Sequence, residues 1–349
     1  MIRITTNGTL YSYKSQLMNS TNKLNDAYNT VLTGRKFNSY DADPAAATQA
    51  FRLRSSLATA DKQSSNNDTV IKKFSTAWDI IGDVYNDLTI EMGKVPALEG
   101  SNDTNLSVLP ELGKVLKSGA AAIVQDMNAK YGDNFIFGGA ETLKVPFVLN
   151  EETGELTYRG LNVDEMVKND PNNPNKPNTY DNINDSLYVD IGLGFQEGAN
   201  GELISSSAYD SALNGLDFLG YGEDAAGNPN NIVSIMWQMG EIFEGYDIDT
   251  NTWTNGSREK AQELMKKLED AANTLNEQHT KLDADTSYLY TNLDRLTTTK
   301  DNLNEQIVNV EDVDKAQAIM DLVWAQQAYN AALKIGTNII PQSLLDYMN

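Results

Sequence analysis

His279 is the one histidine of the chain, and there is no cysteine. It is therefore the natural place to look for a general base working near neutral pH. It falls, however, inside a seven-residue repeat on a long helix, where a polar side chain sets packing and register, and that is the role expected of it. The run Asp247-Ile-Asp-Thr-Asn251 has the opening of a calcium loop, but its sixth position is Thr252 instead of glycine and its twelfth is Arg258 instead of glutamate. Gly192-Leu-Gly194 with Gly198 misses the dinucleotide spacing. The acid pairs Glu151–Glu152 and Glu223–Asp224 could serve carboxylate chemistry such as glycoside hydrolysis, yet adjacent acids in polar loops are ordinarily solvated. The expectation is no enzyme, no cofactor and no metal. A carboxylate-based glycoside hydrolase or an acidic binding module is the remote alternative.

The charge balance points the same way. Among 349 residues, 49 are acidic and 27 basic, a net charge of −22. Such a surface repels phosphate backbones and anionic lipid, so neither nucleic acid nor membrane is an expected partner. Met1 to Lys14 lacks the continuous apolar run of a cleavable signal peptide. The apolar stretch Ala316 to Ile340 is broken by Asp321, Asn330, Lys334 and others, which argues against a lipid-spanning helix. Glu141 to Gly256 holds 20 acidic against 4 basic residues, with 13 of the 24 glycines and 5 of the 9 prolines. That composition predicts turns, loops and short strands there, and helices on either side.

Two long helices are legible. Ala261, Leu268, Leu275, Leu282, Leu289, Leu296, Leu303 and Val310 recur at a strict spacing of seven, with a mixed second column through Met265, Ala272, His279, Thr286, Leu293, Lys300 and Ile307. Ser257 is the expected N-cap. Near the other end, Asp43 can cap and Pro44 can open a helix whose apolar spacing runs Ile71, Phe74, Trp78, Ile81, Tyr85, Leu88, Met92 and Val95 until Pro96. Each would span roughly 80 Å at 1.5 Å per residue, and the two are natural partners in an elongated antiparallel rod. A third helix is expected over about Leu106 to Tyr131. In the middle region, Asn134 to Gly139 reads as strand and turn, Phe147–Asn150 with Leu156–Tyr158 as a hairpin, Tyr188–Gly192 as a strand, Ile232–Phe243 as a short amphipathic helix, and Asp170–Asn178 as a loop.

Two terminal helices complete the chain. Leu10, Leu17, Leu24 and Val31 form a stripe ending at Gly34, and Asp312 or Asp314 can start a helix carrying Leu322, Trp324, Ala325, Tyr329 and Leu333. Neither stripe has an evident internal core, so each is expected to order against the opposite terminus or a neighbouring subunit. Leu10, Leu17, Leu24, Val31, Leu322, Ala325, Tyr329 and Leu333 are the expected assembly contacts. The expected rod core is Ile71, Phe74, Trp78, Ile81, Tyr85 and Leu88 against Leu268, Leu275, Leu282, Leu289, Leu296 and Leu303. The fold class is thus mainly α with an inserted β-rich domain, divided as terminal helix and loop 1–42, rod 43–140, outer acidic domain 141–256, rod 257–311 and terminal helix 312–349.

The segment Thr33-Gly-Arg-Lys-Phe-Asn-Ser-Tyr-Asp-Ala-Asp-Pro44 resembles the stretch after the first helix of bacterial flagellin-like proteins, most of all the hook-associated protein 3 family of hook–filament junction proteins. Asn134–Gly139 with Pro146-Phe147, Val189–Gly194 and the ending Pro341–Met348 are similar as well. That family commonly has Ser-Asp-Asp-Pro where this chain has Asp41-Ala42-Asp43-Pro44. The resemblance implies a flagellin-like fold with terminal helices ordered on assembly. It also implies a structural adapter, exported without a cleaved signal and located on the extracellular flagellum. The implied partners are hook-associated protein 1, flagellin, a flagellar export chaperone and further copies of itself in a ring. A filament-forming flagellin is the alternative.

Overall fold

The computed structural model describes residues 6–37, 39, 41–88, 93–94, 96–97, 106–167, 180–181, 183–198, 200, 203–204 and 207–339. Met92, Val95, the Asp170–Asn178 loop and the Pro341–Met348 ending lie outside them. The chain divides into two compact units, Met1–Lys62 with Thr297–Asn349, and Gln63–Leu296. The architecture is mainly helical with small antiparallel sheets, and the long helices α2 (Pro44–Asn86) and α6 (Arg258–Glu311) contribute residues to both units.

In the Gln63–Leu296 unit, α2 and α6 are joined by α3 (Leu109–Met127), the short α4 (Gly215–Leu219) and α5 (Ile232–Glu244). Among the described residues nine short strands lie between them. β1 (Lys130–Tyr131) pairs with β2 (Asn134–Phe135), and β3 (Phe147–Leu149), β4 (Leu156–Tyr158) and β5 (Leu161–Asn162) form a three-stranded sheet. β6 (Tyr188–Val189) pairs with β7 (Tyr209–Asp210), and β8 (Tyr246–Asp247) with β9 (Thr252–Trp253). All pairings are antiparallel. The β3–β4 register places Phe147 opposite Tyr158 and Leu149 opposite Leu156.

One continuous core runs from Val70 and Phe74 on α2 and Leu268 to Leu289 on α6 through Phe147, Ile191 and Phe243. The acidic middle segment therefore shares its core with helical segments on either side of it, and the boundary between units falls within α2 and α6. Polar groups lock this arrangement. Asn67, fully buried, donates to the Leu289 carbonyl at 2.8 Å, and Asn292 donates to the Ile191 carbonyl at 2.8 Å. Both amides thus satisfy backbone acceptors that would be costly to bury alone. Gly192 has a φ of +84°, and a Cβ there would sit 2.9 Å from Leu296, so this glycine serves close docking on α6, whereas Gly194, at φ +79°, has open space around it.

The seam on α2 differs from the expected one. Ile71, Phe74, Ile81 and Leu88 are buried, but the intervening positions are taken by Ala77 and Val84, while Trp78 is 40% exposed and Tyr85 half-buried. Both choices satisfy three-four spacing; where the helix is closely packed the smaller side chain goes inside and the large ring goes to the flank. Trp78 stacks on His279 with ring centroids 4.5 Å apart, and His279 Nε2 lies 3.0 Å from the Trp78 carbonyl oxygen. On α6, Leu268, Leu275, Leu282, Leu289 and Leu296 are buried; Leu303 is partly buried in the other unit. Helix α5 is amphipathic as expected, with a wide buried face and a narrow, partly exposed stripe of Gln238, Glu241 and Glu244 at a spacing of three. Its Gly240 meets Gly113 of α3, where a Cβ on Gly113 would lie 2.6 Å from the Gly240 carbonyl oxygen.

Candidate assembly interface

The first unit is built from α1 (Thr6–Thr33), α7 (Lys315–Ile339) and the adjoining parts of α2 and α6. Local chemistry delimits its helices. Gly34, at φ +69°, ends α1 with its N–H donating to Thr30 O at 2.8 Å. Asp43 Oδ1 accepts from Ala46 N at 3.0 Å, and Asp314 Oδ1 accepts from Ala316 N at 2.8 Å. The turn after α1 is stitched to the α6–α7 junction: Lys36 N donates to Glu311 O at 2.7 Å and Val313 N to Gly34 O at 3.0 Å. Glu311, buried, receives both Arg54 Nε (2.6 Å) and Nη2 (2.5 Å), and this hydrogen bonding holds its carboxyl below the usual range. Lys300 pairs with Asp61 at 2.7 Å.

Helices α1 and α7 pack against each other. Tyr13, early in α1, meets Gly336, late in α7, and Gly34 meets Val313 at the other end, so the pair is antiparallel. Residues withdrawn from solvent recur with alternating three and four spacing: Tyr13, Leu17, Leu24, Ala27 and Val31 on α1, and Ala318, Leu322, Ala325, Tyr329, Ala332 and Gly336 on α7. This is the seam of a two-stranded antiparallel coiled coil. Of the eight residues expected to make assembly contacts, Leu17, Leu24, Val31, Leu322, Ala325 and Tyr329 lie half-buried in it, while Leu10 and Leu333 are 47% and 42% exposed.

A second set of apolar residues on these helices faces solvent: Met18 and Leu32 on α1, and Ile319, Met320, Val323 and Trp324 on α7, the last 74% exposed. Apolar surface concentrated on a helix pair in this way is a candidate protein contact site. Sequence reasoning missed Met18, Leu32 and Met320. The signal was available in the doublets Ile319-Met320 and Val323-Trp324. Two adjacent apolar residues on successive turns make the stripe wider than one partner helix covers.

The acid pairs lie on turns, and among the described residues neither lines a cleft described here. Glu151 and Glu152 are exposed in the β3–β4 turn, and Glu223 is exposed beside Asp224, which is held by Lys267 Nζ at 2.6 Å. Asp247 Oδ1 accepts from Asp249 N at 2.9 Å and its Oδ2 from Thr250 Oγ1 at 2.7 Å, closing the β8–β9 turn. Among the described residues no three His, Asp or Glu side chains are grouped to hold a metal ion, and no helix is long and apolar enough to cross a membrane.

Paired terminal helices and an inserted α+β region are thus the features by which this fold is compared with known proteins. Residues 265–348 match the family described as the bacterial flagellin C-terminal helical region. The fold is that of a putative flagellar hook-associated protein from Vibrio parahaemolyticus, at 16% identity, covering 78% of this chain and 100% of that one with a TM-score of 0.55. Similarity is also found to hook-associated protein 3 of Legionella pneumophila (12% identity, 74% and 98% covered, TM-score 0.48) and to FlgL of Bacillus cereus (17%, 76% and 99%, 0.44). No curated protein matches the chain.

Proposed function

We propose that this chain is a structural subunit of the bacterial flagellum, acting as the adapter between the hook-distal hook-associated protein 1 and the first flagellin subunits. The observation that carries the reading is the α1–α7 pair: its inner seam closes within the chain, while Met18, Val323 and Trp324 keep an apolar flank facing outward. In a helical lattice such a flank is buried by neighbouring subunits through heterologous contacts. Leu10 and Leu333, exposed on the same two helices, are available to such contacts, and self-association would place copies in a ring. The acidic segment, carrying most of the negative charge, is suited to the solvent-facing side. Before assembly the same apolar flank would need cover, the task of an export chaperone. On this reading the chain performs no chemical step, and it resides on the extracellular flagellum.

The flagellin match over residues 265–348 favours a second reading, a filament-forming flagellin. Seeded polymerisation separates the two: an adapter adds a short layer to hook ends and stops, whereas a flagellin extends into long filaments. The genetic test is deletion of the gene. Intact hooks with flagellin shed into the medium support the adapter, and filaments still attached overturn it.

A further inference from the structure

In the Gln63–Leu296 unit a cleft of about 290 Å³ lies between α2, the β1–β2 hairpin and β6. Its walls are largely apolar, with Val70, Phe135, Leu187 and Val189 among them, and Thr69 adds a hydroxyl. Lys73 also lines it. Its ammonium donates to the Ser211 carbonyl at 2.8 Å, and among the described residues no carboxylate lies within ion-pair distance of it. This ammonium is partly withdrawn from water, and the opposite charge acting on it, Asp210, lies beyond ion-pair distance. Burial pushes the Lys73 amine down to about 8, with Asp210 the one charge opposing that shift. Elsewhere in the chain Lys117, Lys267 and Lys300 each have a carboxylate within 3 Å.

We propose that the Lys73 cleft is a binding site for a small monocarboxylate with an apolar tail, the carboxylate pairing with the ammonium and the hydrocarbon lying against Val70, Phe135 and Val189. Such a ligand supplies both things the cleft lacks, a negative charge at Nζ and apolar volume between the walls. An uncharged analogue of the same shape supplies one. The site is independent of the assembly role.

The test titrates the full chain with hexanoate and with hexanamide, followed by calorimetry. Hexanoate is expected to bind about tenfold or more tighter than hexanamide, the gain of one charge-assisted contact. Lys73→Met is expected to remove that preference and Lys73→Arg to retain it. Equal affinities, no binding of hexanoate, or a preference unchanged in Lys73→Met would overturn the proposal. Should Lys73→Met fail to fold, methyl resonances of the intact protein decide. Shifts at Val70 and Val189 on adding hexanoate support the site, and shifts elsewhere alone overturn it.

Discussion

Tyr13 lies directly over Gly336: a Cβ built on that glycine would stand 1.9 Å from the tyrosine hydroxyl oxygen and 2.4 Å from the ring carbon bearing it. The first turns of the N-terminal helix and the last turns of the C-terminal helix are thereby locked in register by the absence of one side chain. Glycine costs about 1 kcal/mol against alanine in a helix interior, so α7 gives up intrinsic helicity for this approach. Gly336→Val is expected to splay that end of the pair, read as faster amide exchange over residues 8–17 and 329–337. Adding Tyr13→Ala should restore protection, because the clash is then gone; no recovery in the double variant would show the contact to be incidental.

Arg54 and Glu311 join the N-terminal part of α2 to the end of α6 by two parallel hydrogen bonds. Arg54 is half exposed, which limits the pair's net worth to about 1 kcal/mol, but removing the arginine leaves a buried carboxylate unpaired. Glu311 titrates below its usual value in the folded chain. Its contribution is therefore present above the unfolded glutamate pKa and lost as pH falls through the folded one. Arg54→Met should lower the melting temperature at pH 7 and leave it nearly unchanged at pH 3. A uniform loss at both pH values would count against the pair.

Asp164 has the opposite sign. Burial raises its carboxyl to about 6, with the Ser234 hydroxyl opposing the shift and Glu223 adding to it, and its Oδ1 has no hydrogen-bond partner. The folded state holds the proton more tightly than the unfolded chain, so stability falls as pH rises from about 4 to 6, and the full penalty stands above that. Asp164→Asn should raise the melting temperature at pH 7 and do little at pH 3.5. A loss of stability at both values would mean the carboxylate has a partner in solution.

Phe74 is 2% exposed and Trp78 40%. Truncation should follow burial, not ring size. Phe74→Ala is expected to cost about 3 to 5 kcal/mol in denaturant unfolding, and Trp78→Ala about 1 kcal/mol from the lost His279 stack. The reverse order would restore Trp78 to the core.

Trp324→Asp, on the outer face of α7, should leave helicity and melting temperature within about 0.5 kcal/mol of the parent, as for other exposed sites. On the proposed adapter role, its incorporation into hook–filament junctions should be abolished. A variant that still assembles would move the contact surface elsewhere.

The two long helices, their caps at Asp43, Ser257 and Asp314, and the β3–β4 hairpin were legible because each depends on neighbours within a few residues: a spacing, a capping oxygen, a turn glycine. The inner stripes of the terminal helices were legible for the same reason. The choice of Ala77 over Trp78 was not, since adjacent residues fit the period equally and the decision belongs to the surface packed against them. Nor was the purpose of Asn67, which breaks an apolar register in one dimension and in three satisfies the Leu289 carbonyl 222 residues away.

Periodicity, charge and the missing cysteines settled that this chain is a largely helical, acidic protein with sticky ends. Which stripe closes inside the chain, which stays open to a neighbour, and where Lys73 comes to rest were decided by tertiary packing. Those outcomes depend on contacts between residues far apart in the chain, and local preferences carry no record of them.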